Sequence, residues 1–252
     1  MINAKYHISF IIISHYHKIC VHSMFKNYIN YLVYILTSFV LTYSPLIKAM
    51  DEDSRLWQAF IAEGNITKDV RWYAEVQARW KDDVKNFDQG FLRPALNFAL
   101  SEKASLWLGY AYADTKAANG HTHEDRWWQQ FQYVSKYNDI TWLTRSRLEQ
   151  RHLDSGDSAS YRFRQQIRAS LPINGRNDLS YLVWDEVFWN VNDTQWAGSN
   201  GFNQNRLFTG LMWKYTESSR LEIGYLNQYI NGTNGRTDQM NHVLSSFVFI
   251  GF

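Results

Sequence analysis

The chain has 252 residues, with 26 Lys and Arg against 24 Asp and Glu, and a formal net charge of +2. Four of the lysines lie in residues 1–49, which contain no Asp or Glu, so the rest of the chain has 22 basic and 24 acidic side chains. This balance argues against a nucleic-acid partner. The single cysteine, Cys20, also lies in residues 1–49, so disulfides and thiol catalysis are excluded from the remainder.

Residues 1–49 have the organisation of a cleavable signal peptide. The stretch 31–47 is mostly apolar, a lysine precedes it, and Ala49 follows it as the small residue of a cleavage site. We therefore expect cleavage after Ala49 and a translational start at Met24. The alternative is a membrane-anchor helix, because about 20 apolar residues can span a bilayer. We expect residues 50–252 to form one domain.

The rest of the chain alternates between apolar and polar side chains with a period of two, which places the two sets on opposite faces of β-strands. In the segment 70–81 the apolar set is Val70, Trp72, Ala74, Val76, Ala78 and Trp80. The polar set is Arg71, Tyr73, Glu75, Gln77, Arg79 and Lys81. The polar face carries too many long charged groups for a soluble core, and aromatic residues make up 17% of the chain. This pattern indicates an outer-membrane barrel with apolar side chains toward lipid and polar side chains toward a lumen.

The predicted strands follow one another along the whole of this region. They are 54–64, 70–81, 90–100, 104–113, 124–136, 139–152, 158–171, 178–191, 203–215, 219–230 and 240–252. Short connections alternate with longer ones, and the longer ones are 82–89, 114–123, 153–157, 192–202 and 231–239. The fold class is therefore all-β, a transmembrane antiparallel up-and-down barrel. Because bacterial single-chain barrels have an even number of strands, we expect twelve, with ten as the next choice.

The C-terminal strand predicts the cellular location. It closes with Phe247, Val248, Phe249, Ile250, Gly251 and Phe252, an aromatic end on a strand with alternating apolar residues. This ending resembles the signature that the outer-membrane barrel assembly machinery recognises. We therefore expect that machinery and outer-membrane lipids as partners, and the Gram-negative outer membrane as the location.

The polar parity of the strands predicts the lining of the lumen. The candidates are Arg71, Glu75, Gln77, Arg79, Arg93, Asn97, Arg126, Gln130, Arg145, Arg147, Glu149, Arg151, Arg162, Arg164, Gln166, Arg168, Glu186, Gln204, Arg206, Glu222 and Gln228. Arginines close to glutamates on neighbouring strands can form bidentate ion pairs that fill a narrow lumen. The alternative is an arginine-lined selectivity site for an anion. We expect the carboxylates to compensate the arginines, so that the lumen is a neutral plug.

Metal binding has little support in the sequence. His121 and His123 lie two residues apart in a predicted loop, beside Glu124 and Asp125. Such a group could contact one ion, but exposed loop histidines are more often solvated. We expect no metal site and no cofactor.

A lipid hydrolase is the enzymatic alternative. Outer-membrane phospholipase A is also a small barrel, and its active site resembles a His followed closely by Ser, Asn and Gly. The run from Gly198 through Ser199 to Arg206 resembles part of that motif. The position that a His would need is occupied by Trp196, Ala197 or Gly198, and a Ser without an adjacent base is not activated.

Several short motifs, in this order, resemble the outer-membrane proteins grouped as domain of unknown function 2490. They are Leu56-Trp57, Glu75-x-Gln77-x-Arg79, Tyr161-Arg162-Phe163-Arg164, Glu186-x-Phe188, Asn203-Gln204-Asn205-Arg206, Glu222-x-Gly224-Tyr225 and His242. The resemblance covers residues 54–252. It implies an outer-membrane barrel and no known activity.

The sequence thus predicts a non-enzymatic outer-membrane barrel, structural or with a narrow pore, whose lumen holds an Arg and Glu network. One alternative is the lipid-modifying hydrolase, which would use Ser199. The other is a surface-binding module that uses the long loops, with Trp196, His121 and His123 as contacts. The identity of any small-molecule ligand stays open at this point.

Overall fold

Eleven β-strands make up most of the chain that this computed structural model describes, namely residues 50–117, 120–173, 175–233 and 235–252. The predicted signal peptide and its cleavage site after Ala49 lie outside these residues. Within them, no helix is long and apolar enough to cross a membrane. The strands are β1 (Met50–Asn65), β2 (Val70–Lys81), β3 (Asn86–Ala99), β4 (Ala104–Ala117), β5 (Gly120–Tyr137), β6 (Ile140–Leu153), β7 (Ser160–Ile173), β8 (Arg176–Asn190), β9 (Gly201–Lys214), β10 (Arg220–Ile230) and β11 (Asp238–Gly251).

The strands close into a barrel in which each pairs with its neighbour in sequence. These neighbouring pairs are all antiparallel, and the closing pair, β1 with β11, is parallel from Met50↔Asp238 to Glu63↔Gly251. An odd number of strands that reverse direction at each turn leaves the first and last pointing the same way, so their pairing must be parallel. The expectation of twelve strands is wrong for the described residues, because β1 is one continuous strand from Met50.

Two of the predicted long loops are largely strand. The ladder between β4 and β5 continues through Asp114↔His123 to Ala117↔Gly120, so the polar segment 114–123 extends the sheet instead of leaving it. The predicted loop 82–89 is reduced to a turn at 82–85, where Asp82, Asp83 and Val84 have positive φ. The polar residues at these sites belong to strands that extend into polar surroundings. The sequence alone does not distinguish such strands from loops.

The two ends of the barrel carry different connections. At one end, called the short-turn end, lie the connections after β1, β3, β5, β7 and β9. The longest of these is 215–219. At the other, called the loop end, lie the longer connections 154–159, 191–200 and 231–237. The C-terminal Phe252 lies at the short-turn end, where its N–H donates to the Glu63 carbonyl (2.9 Å) and its ring stacks on Trp72.

The outer face of the barrel is mostly apolar. On β2 the side chain of Val76 is 56% exposed, whereas Glu75 and Gln77 on either side are 6% and 4% exposed and point inward. Exposed aliphatic and Phe side chains predominate in the middle of the outer face: Phe60, Val76, Leu92, Leu108, Leu148, Ile167, Val183, Leu207, Ile223 and Leu244. Tyr225, which pairs with Leu244, and Asp185, which pairs with Ile167 and Leu207, also face outward there. Exposed Trp and Tyr side chains lie nearer the strand ends: Tyr112, Trp127, Tyr133, Tyr137, Trp142, Tyr161, Tyr181, Trp189, Trp213 and Tyr215.

The inner face is divided, which corrects the expectation of a lumen that is polar all round. One side holds a buried apolar cluster from β1 and β8 to β11: Trp57, Leu182, Phe208, Met212, Leu226 and Val243. A smaller cluster, Ala95, Trp107 and Trp128, lies on β3 to β5. The division arises because parts of β8 to β11 are apolar on both parities, so apolar side chains enter the lumen as well as the outer face.

Candidate functional site: the arginine-lined lumen

Glu149 is a node of the ion-pair network inside the barrel. Its side chain is 2% exposed and accepts from Arg162 on the adjacent strand β7, through Nε (3.0 Å) and Nη2 (2.6 Å). Its other oxygen accepts from Arg164 Nη1 (2.6 Å). A buried carboxylate is stable only when paired and hydrogen-bonded, and Glu149 meets both conditions.

Glu186 on β8 forms a second node. Its Oε1 accepts from Arg145 Nη2 (2.8 Å) and from Arg164 through Nε (3.0 Å) and Nη2 (2.8 Å). Arg164 therefore joins the two nodes across three strands. The neighbouring strands β6 and β7 bring Arg147 and Arg164 opposite one another, and the two carboxylates offset the repulsion between them.

Glu124 on β5 receives two bidentate arginines. Arg126 donates to it from Nε (2.7 Å) and Nη2 (2.8 Å), and Arg151 does so from Nε (2.6 Å) and Nη2 (3.1 Å). Fork-to-fork pairs of this kind fix both partners geometrically.

Two further carboxylates lie nearer the short-turn end. Glu75 accepts from the Tyr73 hydroxyl (2.5 Å) and pairs with Arg93. Glu222 accepts from Arg168 Nη1 (3.0 Å) and Nη2 (2.7 Å) and from Arg220 Nε (3.0 Å).

Three arginines in the lumen have no hydrogen-bonded carboxylate partner among the described residues. Among the described residues, no carboxylate oxygen lies within 4.0 Å of Arg79 or Arg206, and Arg147 reaches Glu149 only at 3.7 Å. Arg79 donates to Gln77 (3.0 and 2.7 Å) and Gln89 (3.1 Å) instead.

The other two use amides in the same way. Arg147 donates to Gln130 (2.9 and 2.6 Å), and the Gln204 amide lies 3.0 to 3.1 Å from the guanidinium of Arg206. Neutral amides satisfy these guanidinium donors without cancelling their charge.

Aromatic rings separate the guanidinium groups. The ring of Phe91 has Arg79, Arg93 and Arg126 within 4.4 to 5.2 Å of its centroid. A second set surrounds Phe188, where Arg162, Arg164 and Arg206 lie at 4.4 to 5.2 Å. Trp57 joins the two sets, because Arg79 lies over its ring at 3.9 Å and Arg206 at 4.8 Å. Distances below about 6 Å permit cation–π attraction, which offsets part of the cost of bringing like charges together.

These rings were missed from the sequence, although a signal was present. Trp57, Phe91 and Phe188 have the same parity as the charged residues of their strands; Phe91 stands two residues before Arg93 and Phe188 two after Glu186. An apolar residue that alternates in step with the polar residues of its strand is therefore expected to point into the lumen.

The charges of the lumen do not balance, contrary to the expected neutral plug. Leaving aside Glu222 with Arg168 and Arg220, Glu63 with Arg71, and the Arg55, Asp53 and Asp88 group, nine arginines face four glutamates among the described lumen residues. The arginines are Arg79, Arg93, Arg126, Arg145, Arg147, Arg151, Arg162, Arg164 and Arg206. The glutamates are Glu75, Glu124, Glu149 and Glu186. The carboxylates bind most of these arginines, but too few are present to neutralise them, so the lumen is electropositive.

A layer of polar contacts, here called the closing layer, lies at the loop end of the lumen. Asn190 is fully buried and donates from Nδ2 to the carbonyls of Ala197 (3.0 Å) and Ser199 (3.2 Å), which anchors the segment 191–200 to the end of β8. Trp196 donates to the Ser158 carbonyl (2.9 Å) and lies 4.8 Å from the Arg151 guanidinium. Beside them, Asn241 Nδ2 donates to Gln228 (3.1 Å), and the Gln228 amide nitrogen lies 3.0 Å from the amide of Gln204.

Below this layer lies a chamber of about 660 Å³ that reaches the short-turn end. Its wall includes Asp139 in the turn between β5 and β6, and Lys214 and Arg220 on either side of the turn 215–219. Arg79 and Arg206 line its inner part. Of the described residues in the three long connections at the loop end, none lines it. The described wall therefore places a mouth of the chamber at the short-turn end.

The remaining predicted lumen residues lie around this chamber. Gln166 and Arg168 are on its wall, together with Arg71, Asn97 and Gln130. Four of the predicted lumen residues are absent from the wall: Glu149, Arg151, Gln204 and Gln228. The last three belong to the closing layer and its surroundings, as does Glu124, which was not predicted to face the lumen.

The histidines that the sequence singled out lie on strand β5, not in a loop. His121 Nδ1 contacts Asp114 (2.8 Å) and His123 Nδ1 contacts the Tyr112 hydroxyl (2.6 Å). Glu124 points into the lumen, away from both. In the described part of the chain, no group of three or more His, Cys, Asp and Glu side chains is placed to hold a metal ion.

The residues of the two alternative functions are placed as follows. Trp196 is held in the closing layer instead of projecting from the surface. Ser199 lies in the same connection, 191–200. Of the two histidines nearest to it in sequence, His242 contacts the Tyr225 hydroxyl (2.6 Å), and His152 lines a surface depression with Tyr110, Asp125 and Trp127.

Comparison with known proteins identifies relatives of this chain. Residues 54–241 match the family described as "Protein of unknown function (DUF2490)". An uncharacterized protein of Methylorubrum extorquens is 31% identical over 204 residues, which cover 80% of this chain and 89% of that protein.

Two solved barrels are also similar in structure. One is LpxR from Salmonella typhimurium, with 7% identity, a TM-score of 0.44, and coverage of 71% of this chain and 83% of that one. The other is the NanC porin, with 12% identity, a TM-score of 0.45, and coverage of 77% and 95%. On the sequence matches, the chain belongs to the DUF2490 family of proteins of unknown function.

Proposed function

We propose that this protein is an outer-membrane β-barrel that is closed to free ion flow and presents an electropositive chamber at its short-turn end. The membrane assignment is supported by the outer face, where aliphatic side chains such as Val76 and Leu244 form a middle band with Trp and Tyr nearer the strand ends. That distribution matches the hydrocarbon core of a bilayer and its two interfaces.

The observation that carries the proposal is the closing layer. Arg151 is held by Glu124 on one side and covered by Trp196 on the other, while Asn190 fixes the backbone of the covering segment. Ion conduction needs a continuous wet path, and a layer of buried, mutually hydrogen-bonded side chains interrupts it. The Arg and Glu network below the layer then acts as a brace.

The orientation of the chamber follows from its connections. In outer-membrane barrels the short turns face the periplasm and the longer loops face outward. By this rule the chamber opens to the periplasm, and the segment 191–200 covers the extracellular side.

The experiment has two parts. The first asks whether the full-length protein, expressed in a Gram-negative host, is recovered in the outer-membrane fraction and shows the heat-dependent electrophoretic mobility of a folded barrel. The second measures chloride efflux from liposomes that contain the purified protein, with empty liposomes and an open porin as controls. We expect outer-membrane recovery and efflux close to that of empty liposomes. Recovery in the soluble fraction would contradict the membrane assignment, and porin-like efflux would contradict closure.

A further inference from the structure

Resting on the proposed function, we propose that the chamber is a binding site for a small organic anion with an apolar body, whose anionic group is held by Arg79 and Arg206. An aromatic carboxylate is the simplest ligand of this class.

The first argument is the uncompensated charge of these two arginines. Both line the chamber, and no described carboxylate lies within 4.0 Å of either. Both side chains are only partly buried in this wall, where they can meet an anion from solution. The glutamates around them are already engaged by other arginines, so an anion that enters the chamber would be the nearest charge partner available to Arg79 and Arg206.

The second argument is the orientation of these groups. Both guanidinium groups lie over the ring of Trp57, at 3.9 Å and 4.8 Å, which positions them in one part of the wall. Guanidinium N–H groups point outward in the plane of the group, so a group that lies over a ring keeps its edge available for a carboxylate. Arg79 has described partners for three of its five N–H groups, which leaves two for a ligand.

The third argument is an apolar stretch of the chamber wall on the same side as Trp57. It includes Ile61, Trp184, Met212, Leu226 and Phe247. A free inorganic anion would leave this wall wet, whereas a ligand with a flat or aliphatic body would cover it. The volume of about 660 Å³ lies within the usual range of small-molecule sites, about 300–1,000 Å³.

The mouth of the chamber has a charge that favours the entry of anions. Lys136, Lys214, Arg71 and Arg220 line it, against the carboxylates of Glu63 and Asp139. A cleft lined mainly by one sign of charge raises the local concentration of oppositely charged ligands.

The test is calorimetric titration of the full mature barrel in lipid nanodiscs with three probes: 1-naphthoate, its neutral analogue 1-naphthamide, and inorganic phosphate. Empty nanodiscs correct for partition into lipid. We expect 1-naphthoate to bind about tenfold or more tightly than either other probe, with affinity that falls as NaCl is raised. Equal affinity for the carboxylate and the amide would overturn the role of the arginines. Equal affinity for phosphate and 1-naphthoate would overturn the role of the apolar wall.

Three variants locate the site. Arg79→Gln and Arg206→Gln should each weaken 1-naphthoate binding by about tenfold or more, because each removes a charge-assisted contact. The control, Arg176→Gln, removes an equal charge from an exposed pair with Asp178 and should leave the affinity unchanged. Unchanged affinity in both lumen variants would overturn the proposal.

Two results separate this proposal from the proposed function. Absence of 1-naphthoate binding by protein that is folded in nanodiscs would overturn the site and leave the closed barrel standing. Failure of the protein to enter bilayers would overturn the proposed function itself. If a lumen variant does not fold, the salt dependence and the amide comparison on the unaltered chain still decide the question.

Discussion

Arg164 holds Glu186 through two hydrogen bonds to the same carboxylate oxygen, from Nε at 3.0 Å and from Nη2 at 2.8 Å. The third nitrogen, Nη1, donates to Glu149 at 2.6 Å, so one guanidinium ties β6 to β8 through the lumen. Replacing Glu186 removes the ion pair of Arg145 and leaves Arg164 with Glu149 alone.

We predict that Glu186→Gln lowers the free energy of unfolding by about 3–5 kcal/mol, the usual cost of breaking a buried ion pair on one side. Both Arg145 and Arg164 lose their charge partner at this position. Equilibrium urea unfolding in lipid vesicles measures the effect. The control is Asp178→Asn at the exposed pair with Arg176, where about 0–1 kcal/mol is expected. Equal losses in the two variants would contradict a network that braces the barrel.

We predict a depth-dependent cost of charge on the outer face. Val76 lies in the middle of the apolar band, so Val76→Arg should destabilise the barrel in bilayers by about 2–4 kcal/mol. Tyr137→Arg, at the end of β5, should cost only about 0–1 kcal/mol. The measurement is reversible folding into vesicles, followed by tryptophan fluorescence. A similar cost at both sites would argue that the outer face does not contact lipid.

Gly109 is predicted to tolerate no side chain. A Cβ at this position would lie 2.1 Å from the Trp128 ring, which packs over the glycine inside the barrel. Gly109→Ala must therefore displace a fully buried indole, and we expect a loss of about 1–3 kcal/mol. Gly90→Ala is the matched control, because its Cβ would meet Phe87 at 3.5 Å, an ordinary contact. If thermal unfolding shows no difference between the two variants, the packing of Trp128 on β4 is not as described.

The C-terminal residue tests whether assembly in the cell uses the last strand. Phe252 stacks on Trp72 at a centroid distance of 6.0 Å, and its side chain is otherwise mostly exposed. We predict that deleting Phe252 reduces the amount of folded barrel in the outer membrane more than it reduces folding of purified protein into vesicles. Phe252→Tyr, which keeps an aromatic end, should behave like the unaltered chain. An equal loss in cells and in vesicles would assign Phe252 a packing role alone.

The strand pattern could be predicted because a period of two is local. The segment Val70–Lys81 shows the rule: each side chain follows its neighbour to the opposite face, and the structure keeps the predicted bounds. The number of strands in the barrel could not be predicted in this way. It depends on the parallel pairing of Met50 with Asp238, a contact between the two ends of the barrel that no local pattern reports.

The charged residues of the lumen wall could be predicted from the sequence for the same reason, whereas the balance of positive and negative charge could not. Placing Arg79 and Arg206 on the inward parity does not tell how far each lies from Glu75 or Glu186. That distance depends on which strands face each other across the lumen. The aromatic spacers Trp57 and Phe188 were missed because an apolar side chain was assumed to face outward.

The central claim is that buried polar contacts close the lumen beneath the segment 191–200. The most direct test is single-channel recording in planar bilayers, comparing the unaltered protein with the double variant Glu124→Ala and Arg151→Ala. These substitutions remove the ion pair beneath Trp196. The closed-barrel account predicts no current steps above baseline for the unaltered protein, and discrete openings in the double variant. Large, steady conductance of the unaltered protein would contradict it.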